Sequence, residues 1–219
     1  MQYQFDVAEV QRLLGVRADG ELGPVTAAAI AAWKRSRGLR GEGLTAAEHE
    51  RLVADVPLLA VRQMERWVGL HEVPRGSNRV PELVTLAGRL GVPASLGGMG
   101  YPWCAFAVFL AALAHGGESA ARGLCRREFN AVYTPAVLAA AKAGRLGLRV
   151  VPSALAFRGD LVLFDWDFVH GDPVDHVGRL VEIPVDGRGR TVDGNSGGDG
   201  LVARRERKNG SVRAFVRDS

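Results

Sequence analysis

Apolar and polar positions follow a helical period from the start of the chain. Val7, Val10, Leu13 and Leu14 share one face of a helix, with Asp6 placed to cap it. Asp19-Gly20 and Gly23-Pro24 punctuate a turn. From Thr26 a second helix gathers Ala29, Ile30 and Trp33 on one side and ends near Gly38. A third helix is predicted from Thr45 to Val53, where Thr45 and Glu48 have the spacing of a capping box. Three small helices over residues 1–55 form a core that must be tightly packed to be stable. Pro57 marks a linker over 56–61, and Val61 to Val68 reads as the helix that introduces a second unit, residues 62–219.

In that second unit the texture changes twice. Gly69 to Gly100 is rich in Gly and Pro, with a helical piece from Pro81 to Leu90. Tyr101-Pro102-Trp103-Cys104 then leads into the apolar run Ala105 to Ala114, which reads as a buried helix ended by Gly116-Gly117. Residues 135–143 suggest another helix. From Gly159 onward the pattern is that of strands: 161–164, 176–183, 190–195 and 211–216, joined by tight turns such as Asp186-Gly187. Helices first and a run of antiparallel strands afterwards is an α+β order.

Composition narrows the field. The 219 residues are 47% hydrophobic and 24% charged, ordinary for a folded soluble chain. The apolar run 105–114 is about half the length that spans a bilayer, so no membrane insertion is expected. The N-terminus lacks a basic region followed by an apolar stretch, so no signal peptide is read there. The net charge of +4 is uneven: residues 1–55 carry seven basic and eight acidic side chains, residues 201–219 six basic and two acidic. That C-terminal excess would attract an anionic polymer or simply solvate a last strand. No run of aromatic residues is interleaved with it to stack on bases, Phe215 standing alone, which argues against a nucleic-acid partner. Two cysteines outside any CxxC pair make a disulfide framework improbable.

One of those cysteines is a candidate nucleophile. A cysteine attacks as its thiolate, which requires a nearby cation or a helix N-terminus to lower its pKa. Cys104 stands where a helix begins after Pro102, and the first-turn N–H groups, its own included, would face the sulfur and any oxyanion formed beside it. His176 opens a strand after a Pro- and Asp-rich loop, so its imidazole can take the thiol proton and return it to a leaving amine. Asp193 and Asn195, on one face by the period of two, are the candidates to orient that ring. A plain hairpin through Asp186-Gly187 does not set Asp193 opposite His176, so the strands must slip or twist. Cys125, beside Arg126-Arg127, lacks a long helix behind it and reads as structural.

These motifs carry two resemblances. Val10-Gln11-Arg12-Leu13-Leu14-Gly15, the turn Asp19-Gly20-Glu21-Leu22-Gly23-Pro24-Val25-Thr26, Trp33 and Gly38-Leu39 resemble the three-helix peptidoglycan-binding domain, with Trp33-Lys34 where that family usually has an aromatic followed by Gln. Pro-Trp-Cys-Ala at 102–105, Gly-Asp-Leu-Val-Leu-Phe at 159–164, Asp-His-Val-Gly at 175–178 and Asp-Gly-Asn-Ser at 193–196 resemble the CHAP domain, a papain-like family of cysteine amidohydrolases and peptidases. The resemblance implies an endolysin-like peptidoglycan hydrolase with a papain-like α+β domain. Cys104 would attack, His176 act as base, and Asp193 or Asn195 steady it; Asp193 stands where many members have Glu. Tyr101 and Trp103, next to the nucleophile, are the expected substrate contacts. Some members bind calcium just before the cysteine, but Ser95 to Gly100 has no acidic residue, so neither metal nor cofactor is expected there. The implied partner is bacterial peptidoglycan, reached by a monomer through phage-lysin-like release or from a virion. The rival readings are a zinc peptidase using His170, Asp172, Asp175 and His176 of HGDPVDH, and a non-catalytic wall-binding or virion structural protein. For the zinc peptidase, the four candidate ligands crowd one short loop, and no helix supplies a clear third ligand.

Overall fold

Helix α1 (Val7–Leu14) starts where the Asp6 carboxylate accepts the Glu9 N–H at 3.0 Å. It ends at Gly15, whose φ of 77° allows the left-handed turn. Helix α2 (Pro24–Ser36) has its proline in the first turn, and α3 (Ala46–Val53) carries the Thr45/Glu48 capping box. One buried amide organises the α1–α2 turn. Gln11 Nε2 lies 2.7 Å from Asp19 Oδ1, 2.9 Å from the Glu21 carbonyl and 2.8 Å from Thr26 Oγ1, and its Oε1 accepts the Gly20 N–H. The apolar faces of the three helices meet in a cluster of Val10, Leu13, Leu14, Ile30, Trp33 and Leu52, which is completed by Leu58 and Phe157 from later in the chain. This computed structural model describes residues 5–97, 100–126, 129–166, 173–185, 188–198 and 200–218.

The segment 56–61, expected as a linker, is helical. It forms the first turns of α4 (Val56–Arg66), with Asp55 as cap and Pro57 in the first turn. Proline is tolerated there because the N–H it lacks would have no partner in any case. Asp55 also accepts the Trp33 indole N–H at 3.0 Å and a two-pronged ion pair from Arg37, so one carboxylate joins α2 to the start of α4.

Helices α5 (Pro81–Arg89) and α6 (Ala94–Gly97) lead to α7 (Cys104–Leu113), which is buried from Cys104 to Ala112. Next come α8 (Glu118–Ala120), a π-helical turn at 121–126, and α9 (Thr134–Lys142). The strands are β1 (Arg149–Val151), β2 (Leu161–Phe164), β3 (His176–Val185), β4 (Arg188–Ser196), β5 (Leu201–Lys208) and β6 (Val212–Arg217). They form one antiparallel sheet in the order β1-β6-β2-β3-β4-β5. The chain is therefore α+β, with nine α-helices and six strands among the described residues. Leu161, Leu163, Val177, Val181, Val192, Val202 and Val216 join α4 and α7 in the main core. By the alternation of strands, Val162, Phe164, Leu180 and Phe215 form a smaller cluster on the other face.

Four of the C-terminal arginines are ion-paired within the molecule. Arg204 pairs with Glu65, Arg207 with Asp193, Arg213 with Asp165 and Arg217 with Asp160, and Arg205 donates to Ser196 Oγ. The C-terminal excess of charge is thus partly offset within the chain, while Arg204 and Arg213 stay partly exposed. Among the described residues no helix is long and apolar enough to cross a membrane.

Candidate active site

Cys104 is the first residue of α7, preceded by Trp103 at the cap position. Trp103 is wholly buried and donates its indole N–H to Oε1 of the buried Glu72 at 2.9 Å. Its ring lies so close to Gly194 that a Cβ there would stand 2.8 Å from the ring and 2.6 Å from the Ala107 side chain. Trp103 thus clamps the head of α7 against β4 and offers no surface to a ligand. This differs from the substrate contact expected of it.

His176, the first residue of β3, hydrogen-bonds the Cys104 side chain. Its Nε2 lies 3.3 Å from Asp193 Oδ2. Both side chains are buried. The strand register explains the meeting. Val185 pairs with Arg188 near the turn, but two irregularities shift the pairing so that Gly178 lies opposite Asp193. His176, two residues from Gly178, then shares a face with Asp193. Gly178 is the opening through which the carboxylate reaches the ring: a Cβ at that position would lie 1.9 Å from Asp193 Oδ1. That oxygen is buried and has no hydrogen-bond partner among the described residues. Asn195 makes no hydrogen bond to the ring among the described residues. The β4–β5 pairing breaks between Asp193 and Ser196, and Asn195 takes a left-handed φ of 52° inside that break, so the simple alternation that grouped it with Asp193 fails.

Burial alone would push the Cys104 thiol up. The hydrogen bond and charge of His176, with the N–H groups of Val177 and Ala105, outweigh it, and the thiol is held below its ordinary value. Cys125 behaves oppositely: burial pushes its thiol up, and neighbouring Arg126 only partly offsets this. Both cysteines are free.

Two further residues complete the surroundings. Trp166 stacks on the His176 ring at 4.3 Å between centroids and 27° between planes. Arg207, from β5, ion-pairs Asp193 through the same Oδ2 that faces His176, and its guanidinium lies 5.1 Å from the Phe164 ring and 4.9 Å from the Trp166 ring. Trp166 has a signal in the sequence, since it lies two positions beyond Phe164, the end of a strand that pairs with the start of β3. Arg207 has none without β5, a strand that the sequence pattern does not announce.

Cys104 opens into a cleft of about 680 Å³. Apolar and neutral groups dominate its walls, among them Leu96, Phe129, Val132 and Tyr133, and Asp175 stands on its rim. Tyr101 also lines it, with its hydroxyl donating to the Leu96 carbonyl at 2.9 Å and burial pushing its pKa up. Asp175 receives the Trp166 N–H at 2.8 Å. Of the HGDPVDH segment, His170 and Asp172 lie outside the described residues. No group of three or more potential metal ligands occurs among the described ones.

A thiol of lowered pKa at a helix head, an imidazole bonded to it and a buried carboxylate behind the imidazole can perform nucleophilic catalysis at a carbonyl. No family model, curated protein or solved structure matches this chain.

Proposed function

We propose that the chain is a cysteine hydrolase of peptidoglycan, endolysin-like, with a papain-like catalytic unit of the CHAP kind following a wall-binding helical module at residues 1–55. The observation that carries this reading is the relay Cys104–His176–Asp193 at the head of α7, opening into the cleft.

In the proposed reaction the Cys104 thiolate adds to an amide carbonyl lying in the cleft. Backbone N–H groups of the first turn of α7, which have no acceptor within the helix, receive the oxyanion. His176 delivers its proton to the departing amine as the carbon–nitrogen bond breaks, leaving a thioester on Cys104. The same imidazole then draws a proton from water, hydroxide adds to the thioester, and the acid leaves as the thiolate re-forms. Asp193 keeps the ring turned toward the sulfur and stabilises its imidazolium form. The walls suit the neutral part of a peptide, and Asp175 suits a cationic group at its edge. Mass spectrometry of digested peptidoglycan tests the reading. New amino termini should appear, survive a chelator and vanish after thiol alkylation. The reverse sensitivity would favour a zinc peptidase, and wall binding with no new termini a non-catalytic role. We propose monomeric action on the wall, after phage-lysin-like release or from a virion.

A further inference from the structure

Arg207 has no part in the reaction just described, yet it sits within the relay. It reaches Asp193 from β5, two strands away from His176, and meets the carboxylate oxygen that the imidazole faces. It is not a loose surface cation. Its guanidinium lies between Asp193 and the faces of Phe164 and Trp166, and Trp166 in turn covers His176. Its Nε also approaches Thr191 Oγ1 at 3.4 Å. Two cations therefore compete for one oxygen whenever His176 is protonated.

We propose that Arg207 is a positioning residue that holds Asp193 in place and, through its charge, sets the proton balance of the Cys104–His176 pair. The inference rests on the cysteine-hydrolase reading. Among the described residues the titratable groups at the pair are Cys104 from α7, His176 from β3, Asp193 from β4 and Arg207 from β5, with Tyr101 and Asp175 lining the cleft onto which Cys104 opens; the side chain that β2 contributes here is Phe164, followed by Trp166 just beyond the strand. With Arg207 present, Asp193 is neutralised, and forming the thiolate takes the group from net positive to neutral. Without it, the same step leaves a net negative charge in a buried place. Removing the cation therefore raises the pH at which the thiol ionises.

The test uses the full chain and needs no substrate. Iodoacetamide labelling of Cys104 is followed across pH by peptide mass spectrometry, with Cys125 as the comparator in the same sample. In the unaltered protein Cys104 should react at a lower pH than Cys125. Arg207→Met should move the half-reaction pH of Cys104 upward by about one unit, leave Cys125 where it was and preserve the circular dichroism spectrum. Arg207→Lys should restore most of the original profile. Should Arg207→Met fail to fold, Arg207→Gln, which can still bond the carboxylate, should give the same upward shift. An unchanged profile in the charge-free variants overturns the proposal, as does a Lys variant that shifts as far as Met. If Cys104 of the unaltered protein reacts no earlier than Cys125, the cysteine-hydrolase reading itself fails, and the role of Arg207 with it.

Discussion

At the scale of single residues, the site depends on atoms that fit only one way. Cys104→Ala removes the proposed nucleophile without adding volume, so hydrolysis of peptidoglycan should fall about a thousandfold or more while thermal unfolding changes little. Gly178 is the less obvious case. Any side chain there meets the Asp193 carboxylate, and Gly178→Ala should push that carboxylate off the line to His176. We expect about a hundredfold loss of kcat, with about 1–3 kcal/mol of destabilisation from overpacking, measured by turnover and urea unfolding of the same preparation. Cys125→Ala should leave turnover within about twofold, since burial pushes that thiol up and it takes no part in the Cys104–His176–Asp193 relay.

Among the elements, α7 and β3–β4 matter most, and the clamp between them is Trp103. Trp103→Phe keeps much of the ring but strands the buried Glu72 oxygen without its donor. A loss of about 1–3 kcal/mol is expected in urea unfolding, and Glu72→Gln, which can still accept the indole N–H, should cost less. The elements differ in how legible they are. The helix over 7–14 shows as apolar periodicity, that over 81–89 as a helical piece within a Gly- and Pro-rich stretch, that over 104–113 as a continuous apolar run, and β2 as a four-residue apolar run bounded by turn signals. β5 does not, because Arg204, Arg205, Arg207 and Lys208 read as a solvated basic tail, and only pairing to β4 makes them a strand. Pro57 signals a break when read alone, yet the cap at Asp55 turns it into a helix start. Cys104, His176 and Asp193 are identifiable by residue type and order, whereas the break in pairing around Asn195 is not written in the alternation. Arg207 is hidden for the same reason as its strand.

On the scale of the whole molecule, α1–α3 and the sheet unit share a boundary made of charges buried in pairs. Arg37 and Trp33 converge on Asp55, Arg217 reaches the Ser36 carbonyl as well as Asp160, and Leu58 and Phe157 pack into the N-terminal cluster. Asp55→Ala leaves a buried guanidinium without its partner and should destabilise the chain by about 3–5 kcal/mol. Calorimetry of the unaltered protein should show one transition in place of two. The account as a whole stands on covalent chemistry at a single sulfur. Its most direct test is intact-mass and peptide-mass spectrometry of the protein, acid-quenched within seconds of mixing with peptidoglycan fragments. The account predicts an acyl adduct on the peptide that carries Cys104, absent from Cys104→Ala and released by hydroxylamine. Turnover of those fragments by Cys104→Ala at the rate of the unaltered protein would contradict it.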